Sequence, residues 1–182
     1  MKLDMITNKR TKQNGINPND EFYTPSYAIK PLLKYLEEFE TIWCPFDTKE
    51  SLFVKELENS GHKVIYSHIL VGQDFFEYEP EHYDCIVSNP PYSLKSEVLE
   101  RLFKLDKPFA MLLGVVGIFE SKKRFNMFKN NNFEIMYFNK RVSYFRDYKE
   151  EKPMLNPPFS SVYITHNILP KQIVFEEIEK VV

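Results

Sequence analysis

The chain has 182 residues, 43% of them hydrophobic and 27% charged, which suits one domain with a sizeable core and leaves little room for a second. A formal net charge of −2 excludes nucleic-acid binding through bulk charge alone, though not through a local basic face. The longest apolar stretch, 109–119, is too short to cross a bilayer, and no signal peptide opens the chain, so a cytoplasmic protein with Cys44 and Cys85 reduced and buried is expected.

Residues 1–19 are polar and read as a flexible arm, and 20–182 as one domain. Thr24 suits a helix N-cap with Pro25 at the first helical position, ahead of Ile29, Leu32, Leu33 and Leu36 at helical spacing. A strand follows over 41–46, then a helix over 50–60 stopped by Gly61. The alternation continues with a strand over 63–69, a loop over 72–76 and a strand over 83–88. A helix over 94–105, a fully apolar strand over 109–116 and a helix over 120–130 come next. Strands over 133–139 and 161–167 close the pattern, separated by a long polar loop containing prolines. Such alternation predicts a mostly parallel sheet with helices on both faces. The last two strands lack a helix between them and are expected to pair antiparallel at one edge.

The most informative residues are Asn89-Pro90-Pro91-Tyr92, directly after the strand over 83–88. Two prolines remove two donors and fix φ, which leaves a stiff corner dominated by carbonyl groups. Asn89 adds a side-chain oxygen, and Tyr92 adds a flat apolar face with a polar tip. That corner suits a planar heterocycle bearing an amino group. The histidines and cysteines show no metal-ligand spacing, so no metal is expected.

These residues resemble the S-adenosylmethionine-dependent amino-methyltransferases, above all small phage-type DNA adenine-N6 methyltransferases. The resemblance implies a Rossmann-like class I methyltransferase fold, an α/β architecture with a mostly parallel seven-stranded sheet and an antiparallel edge hairpin. It also implies a catalytic loop at Asn89, Pro90, Pro91 and Tyr92 and a cofactor site from several segments. Tyr23-Thr24-Pro25 matches the opening segment, whose helix start would face the cofactor's carboxylate. Cys44-Pro45-Phe46-Asp47 stands at the first cofactor loop. It has no glycine, and Cys44 replaces an acid, which leaves Asp47 to supply the carboxylate. His68 stands where the family has a ribose-binding acid. Asp74, with Phe75 or Phe76, matches the adenine loop.

The implied reaction is methylation of an exocyclic amine, with Asn89 Oδ1 and the Pro90 carbonyl accepting the amine's hydrogens and Tyr92 stacking on the base. In double-stranded DNA the target base must be flipped out. Arg141, Tyr144 and Arg146, which mix cations with an aromatic, are the expected nucleic-acid contacts. Cytosine-N4, RNA adenine or a protein amide would suit the same tetrapeptide. A non-catalytic relative that binds nucleic acid or a protein partner is the alternative that the glycine-poor loop favours.

Overall fold

In the computed structural model, residues 23–145 and 159–180 are described. They form one seven-stranded sheet and four α-helices. In chain order the elements are α1 (Ser26–Leu33), β1 (Thr41–Cys44), α2 (Leu52–Asn59), β2 (Lys63–Tyr66), β3 (Cys85–Ser88), α3 (Lys95–Leu105), β4 (Phe109–Gly114), α4 (Lys122–Asn130), β5 (Glu134–Phe138), β6 (Ser161–His166) and β7 (Ile173–Glu176). The sheet order is β2-β1-β3-β4-β6-β5-β7.

β1, β2, β3 and β4 run parallel, whereas β6 runs antiparallel to both of its neighbours, β4 and β5. The expected antiparallel pairing of the last two predicted strands is therefore present. It lies inside the sheet, because β7 adds parallel to β5 and takes the edge. β7 follows β6 after a short loop and has only four residues, Ile-Val-Phe-Glu, too few to stand out as a strand beforehand.

Burial follows the sheet order. All residues of β3, β4 and β6 are buried, while the edge strand β2 has none buried. Runs such as Phe109–Gly114 read as continuous apolar strands because both faces are covered. α2 connects β1 to β2 and α3 connects β3 to β4, in opposite directions across the sheet. Right-handed crossovers then put α2 and α3 on opposite faces. α1 packs on α2, and α4 packs on α3.

Local chemistry sets the boundaries. Ser51 Oγ accepts from Phe53 N at 3.2 Å and caps α2, and Ser121 Oγ accepts from Arg124 N at 3.4 Å and caps α4. α1 begins one residue later than expected, with Pro25 rather than Thr24 at the cap position and no side-chain cap bond. Among the described residues no helix is long and apolar enough to cross a membrane, and no cluster of His, Cys, Asp or Glu is arranged to hold a metal ion.

Candidate active site at the sheet switch point

The chain leaves β1 toward β2 on one side and returns to β3 on the other, so the strand order reverses between β1 and β3. In open α/β sheets the crevice beyond the carboxyl ends of strands at such a reversal is where ligands bind. Asp47 follows β1 there, and Ser88 ends β3 immediately before Asn89. The two are joined directly: Ser88 Oγ donates to Asp47 Oδ2 at 2.5 Å, and Ser51 Oγ donates to Asp47 Oδ1. One carboxylate thus ties the loop after β1 to the root of the Asn-Pro-Pro-Tyr corner.

Asp47 is 7% exposed. Burial raises its carboxyl from 3.8 to about 6, against the opposing pull of the Ser51 and Ser88 hydroxyls. Among the described residues no cation pairs with it. A buried carboxylate with two hydroxyl donors and no counter-ion suits a ligand carrying an ammonium group.

The other expected cofactor residues gather around this point, in differing roles. Trp43 Nε1 donates to Ser67 Oγ at 2.9 Å, and Ser67 N donates to Cys44 O at 3.0 Å, which joins the ends of β1 and β2. Cys44 and Pro45 are buried, and burial pushes the Cys44 thiol well above its ordinary value. The Cys44 side chain belongs to the core, contrary to its expected place at a cofactor. Phe46 is half-buried, with its ring 4.9 Å from that of Phe75.

Phe75 is a second correction. It is 2% exposed, packed by Trp43 and Phe46 and covered by the Arg101 guanidinium at 5.2 Å. Its neighbour Phe76 is half-buried and is the more exposed of the pair. Asp74 Oδ1 accepts from Phe76 N at 3.0 Å, shaping the turn, and Arg101 clamps the same loop by donating to Phe76 O at 2.9 Å and Tyr78 O at 3.2 Å. His68 Nδ1 accepts from Leu70 N at 3.1 Å and caps a short 3-10 turn, Ile69–Val71, so that nitrogen is committed to the backbone.

Thr24 is 2% exposed, and its Oγ1 finds no hydrogen-bond partner among the described residues. It sits at the amino end of α1, where backbone N–H groups also collect. Tyr23 pairs with Phe145 as an isolated antiparallel bridge, with N···O distances of 3.0 and 2.9 Å in the two directions. Next to Phe145, the Tyr144 hydroxyl receives the Tyr92 hydroxyl at 2.7 Å and donates to Ser161 Oγ at 2.7 Å. The opening segment is thereby tied to the Asn-Pro-Pro-Tyr corner.

Within that corner the Asn89 side-chain oxygen is buried and Pro90 is buried. Tyr92 is 9% exposed, edge-on to Phe159 at 5.3 Å and to Tyr144 at 6.4 Å. A Cβ on Gly114, at the end of β4, would lie 3.2 Å from Tyr92, so the ring would have to shift by a few tenths of an ångström to admit it. Tyr144 is fully buried, contrary to its expected place on a strand-binding face; it braces Tyr92 from behind. Arg141 is exposed, and Arg146 lies outside the described residues. Sequence reasoning missed Ser51, Ser88, Arg101, Gly114 and Phe159. Only Ser88, adjacent to Asn89, carried any local signal.

No family model matches the chain. Over 106 residues, 53% of the chain, it is 30% identical to the type II methyltransferase M.EcoRI of Escherichia coli. It spans about a third of that protein's length, 32%. Among solved structures it resembles a modification subunit of a putative type I restriction enzyme from Vibrio vulnificus, at TM-score 0.56 and 11% identity, covering 97% of this chain and 51% of that one. At that identity the likeness is one of fold. A second structure, the type I restriction-modification methyltransferase subunit from Streptococcus thermophilus, gives TM-score 0.50 and 14% identity over 86% of this chain and 47% of that one. The expected Rossmann-like class I architecture is thus the observed one.

Proposed function

We propose that the chain is an S-adenosylmethionine-dependent methyltransferase acting on the exocyclic N6 amine of adenine in double-stranded DNA. One observation carries this reading: the Asn89 corner emerges from β3 at the switch point, and Ser88–Asp47 ties it to the loop after β1. The sequence similarity to M.EcoRI supports the reaction class.

The residues fit the cofactor in three places. Asp47 would meet the ammonium of its amino-acid end, and Thr24 Oγ1 with the start of α1 would meet the carboxylate. Phe46 and Phe76, half-buried on either side of Phe75, would pack on the adenine ring, with Asp74 as a neighbouring acceptor. When bound, S-adenosylmethionine supplies a sulfonium methyl as electrophile. Asn89 Oδ1 and the Pro90 carbonyl hold the acceptor amine by its two hydrogens and favour the pyramidal nitrogen on which positive charge grows. Pre-set acceptors of this kind are worth roughly 3 kcal/mol each. Tyr92, fixed by Tyr144 and Gly114, walls the base pocket, and the surplus proton leaves to water. The exposed Arg141 and Lys140 face outward for contact with phosphates of the opened strand.

Labelled cofactor and unmethylated DNA, digested to nucleosides, test the reading. Labelled N6-methyl-2′-deoxyadenosine is expected from the wild type and none from Asn89→Ala with its thermal stability retained. Label in cytosine would replace adenine as substrate, and equal incorporation by Asn89→Ala would remove the proposed site. A non-catalytic relative is the second reading, favoured by the absence of glycine from 45–51. Failure to bind S-adenosylmethionine by calorimetry would favour it.

A further inference from the structure

β7 is the outer strand of the sheet, and among the described residues it pairs only with β5. Ile135 N donates to Gln172 O at 2.8 Å and Asn139 N donates to Glu176 O at 3.3 Å, so the even-numbered positions turn their backbone groups toward β5. Alternation along a strand then turns N–H and C=O of Ile173 and Phe175 toward the outer edge, unpaired among the described residues.

The side chains of Ile173 and Phe175 share one face and are 48% and 72% exposed. Tyr137 of β5, opposite Phe175, is 48% exposed with its ring 5.9 Å from that of Phe175. The other face is occupied: Val174 is buried, and Glu176 Oε1 accepts from Tyr35 Oη at 2.6 Å and pairs with Lys34 Nζ at 2.7 Å. Exposed Lys171 and Glu177 flank the strand at odd-numbered positions.

We propose that this edge is a homodimer interface, in which two copies of β7 pair antiparallel about a two-fold axis at Val174. The register follows from the residues. Outward-facing backbone groups at odd positions require odd residues to face odd residues. Centring on Val174 sets Ile173 against Phe175 of the second copy and Lys171 against Glu177, each twice by symmetry. Sliding by one step toward the amino end sets Lys171 against Phe175, and sliding the other way sets Ile173 against Glu177. Only the central register matches apolar with apolar and cation with anion throughout, while satisfying the four edge groups of Ile173 and Phe175 in each copy. An exposed apolar edge without inward charges is open to such pairing, and so short an interface predicts a micromolar dimer.

Sedimentation velocity of the full chain from about 1 to about 200 µM tests this. A monomer–dimer equilibrium is expected, lost in Phe175→Lys; a residue this exposed tolerates the change without unfolding, which circular dichroism checks. Lys171→Glu and Glu177→Lys alone should each weaken dimerisation about tenfold or more, and together restore it to within about threefold. A monomer throughout the range, or a double variant no better than the single ones, overturns the proposal. Methyl transfer does not enter this test, so its outcome is independent of the catalytic reading.

Discussion

Replacing Asp47 by Asn should stabilise the protein at neutral and alkaline pH while impairing its site. In the folded chain the Asp47 carboxyl titrates at about 6, against 3.8 for an unperturbed one, because burial disfavours the charge. The folded state therefore holds this proton more tightly than the unfolded chain. The stability due to the group is full below about pH 4 and is lost as pH rises through about 6. A shift of this size corresponds to about 3 kcal/mol at pH 8. An amide keeps the two serine hydroxyls engaged, since Ser51 and Ser88 can each donate or accept, but the bonds weaken by about 1 kcal/mol. The net gain of about 2 kcal/mol should raise Tm by roughly 4–8 °C in a chain of this length. Thermal unfolding of wild type and Asp47→Asn at pH 5 and pH 8 measures it. The difference should be small at pH 5 and clear at pH 8. An Asp47→Asn variant that melts below wild type at pH 8, or a difference independent of pH, would refute the reasoning.

The same carboxylate predicts that S-adenosylmethionine affinity falls as pH drops through about 6, where Asp47 takes up a proton, and calorimetry across that range reads it. A flat profile would remove Asp47 from the ammonium site. Thr24→Val deletes a buried hydroxyl with no partner among the described residues, so stability should hold or rise by about 1 kcal/mol while cofactor affinity drops about tenfold. Loss of both together would mean that Thr24 is structural. Gly114→Ala puts a methyl 3.2 Å from Tyr92 and 3.3 Å from Phe159, so roughly 1 kcal/mol of stability and most of the turnover should be lost. Cys44 and Cys85, both fully buried with thiols pushed up by burial, should resist a thiol reagent in the native protein and react once it is unfolded.

The strands were legible where burial is two-sided. Phe109–Gly114 and Cys85–Ser88 are apolar runs bounded by turn residues, and both lie at the sheet centre. β7 was not legible, since four residues after a short loop give no period to read, and its position against β5 is decided by packing. The loop 89–92 could be placed from its prolines alone. What could not be read was which side chains turn inward. Phe75 and Tyr144 look like ligand-facing aromatics in the sequence, yet Arg101 covers one and Ser161 and Tyr92 hold the other. Those partners lie 17 to 52 residues away, beyond the reach of any local pattern. The Ser88–Asp47 bond, 41 residues apart, has the same origin.

A methyl donor is expected over the carboxyl ends of β1 and β3, with its reactive sulfur turned toward Asn89. A crystal structure with S-adenosylhomocysteine measures this most directly. The ligand's amino-acid end is expected between Thr24 and Asp47, its adenine beside Phe46 and Phe76, and its sulfur facing the Asn89 side chain. A ligand bound away from β1 and β3, or with its sulfur turned from Asn89, would contradict it.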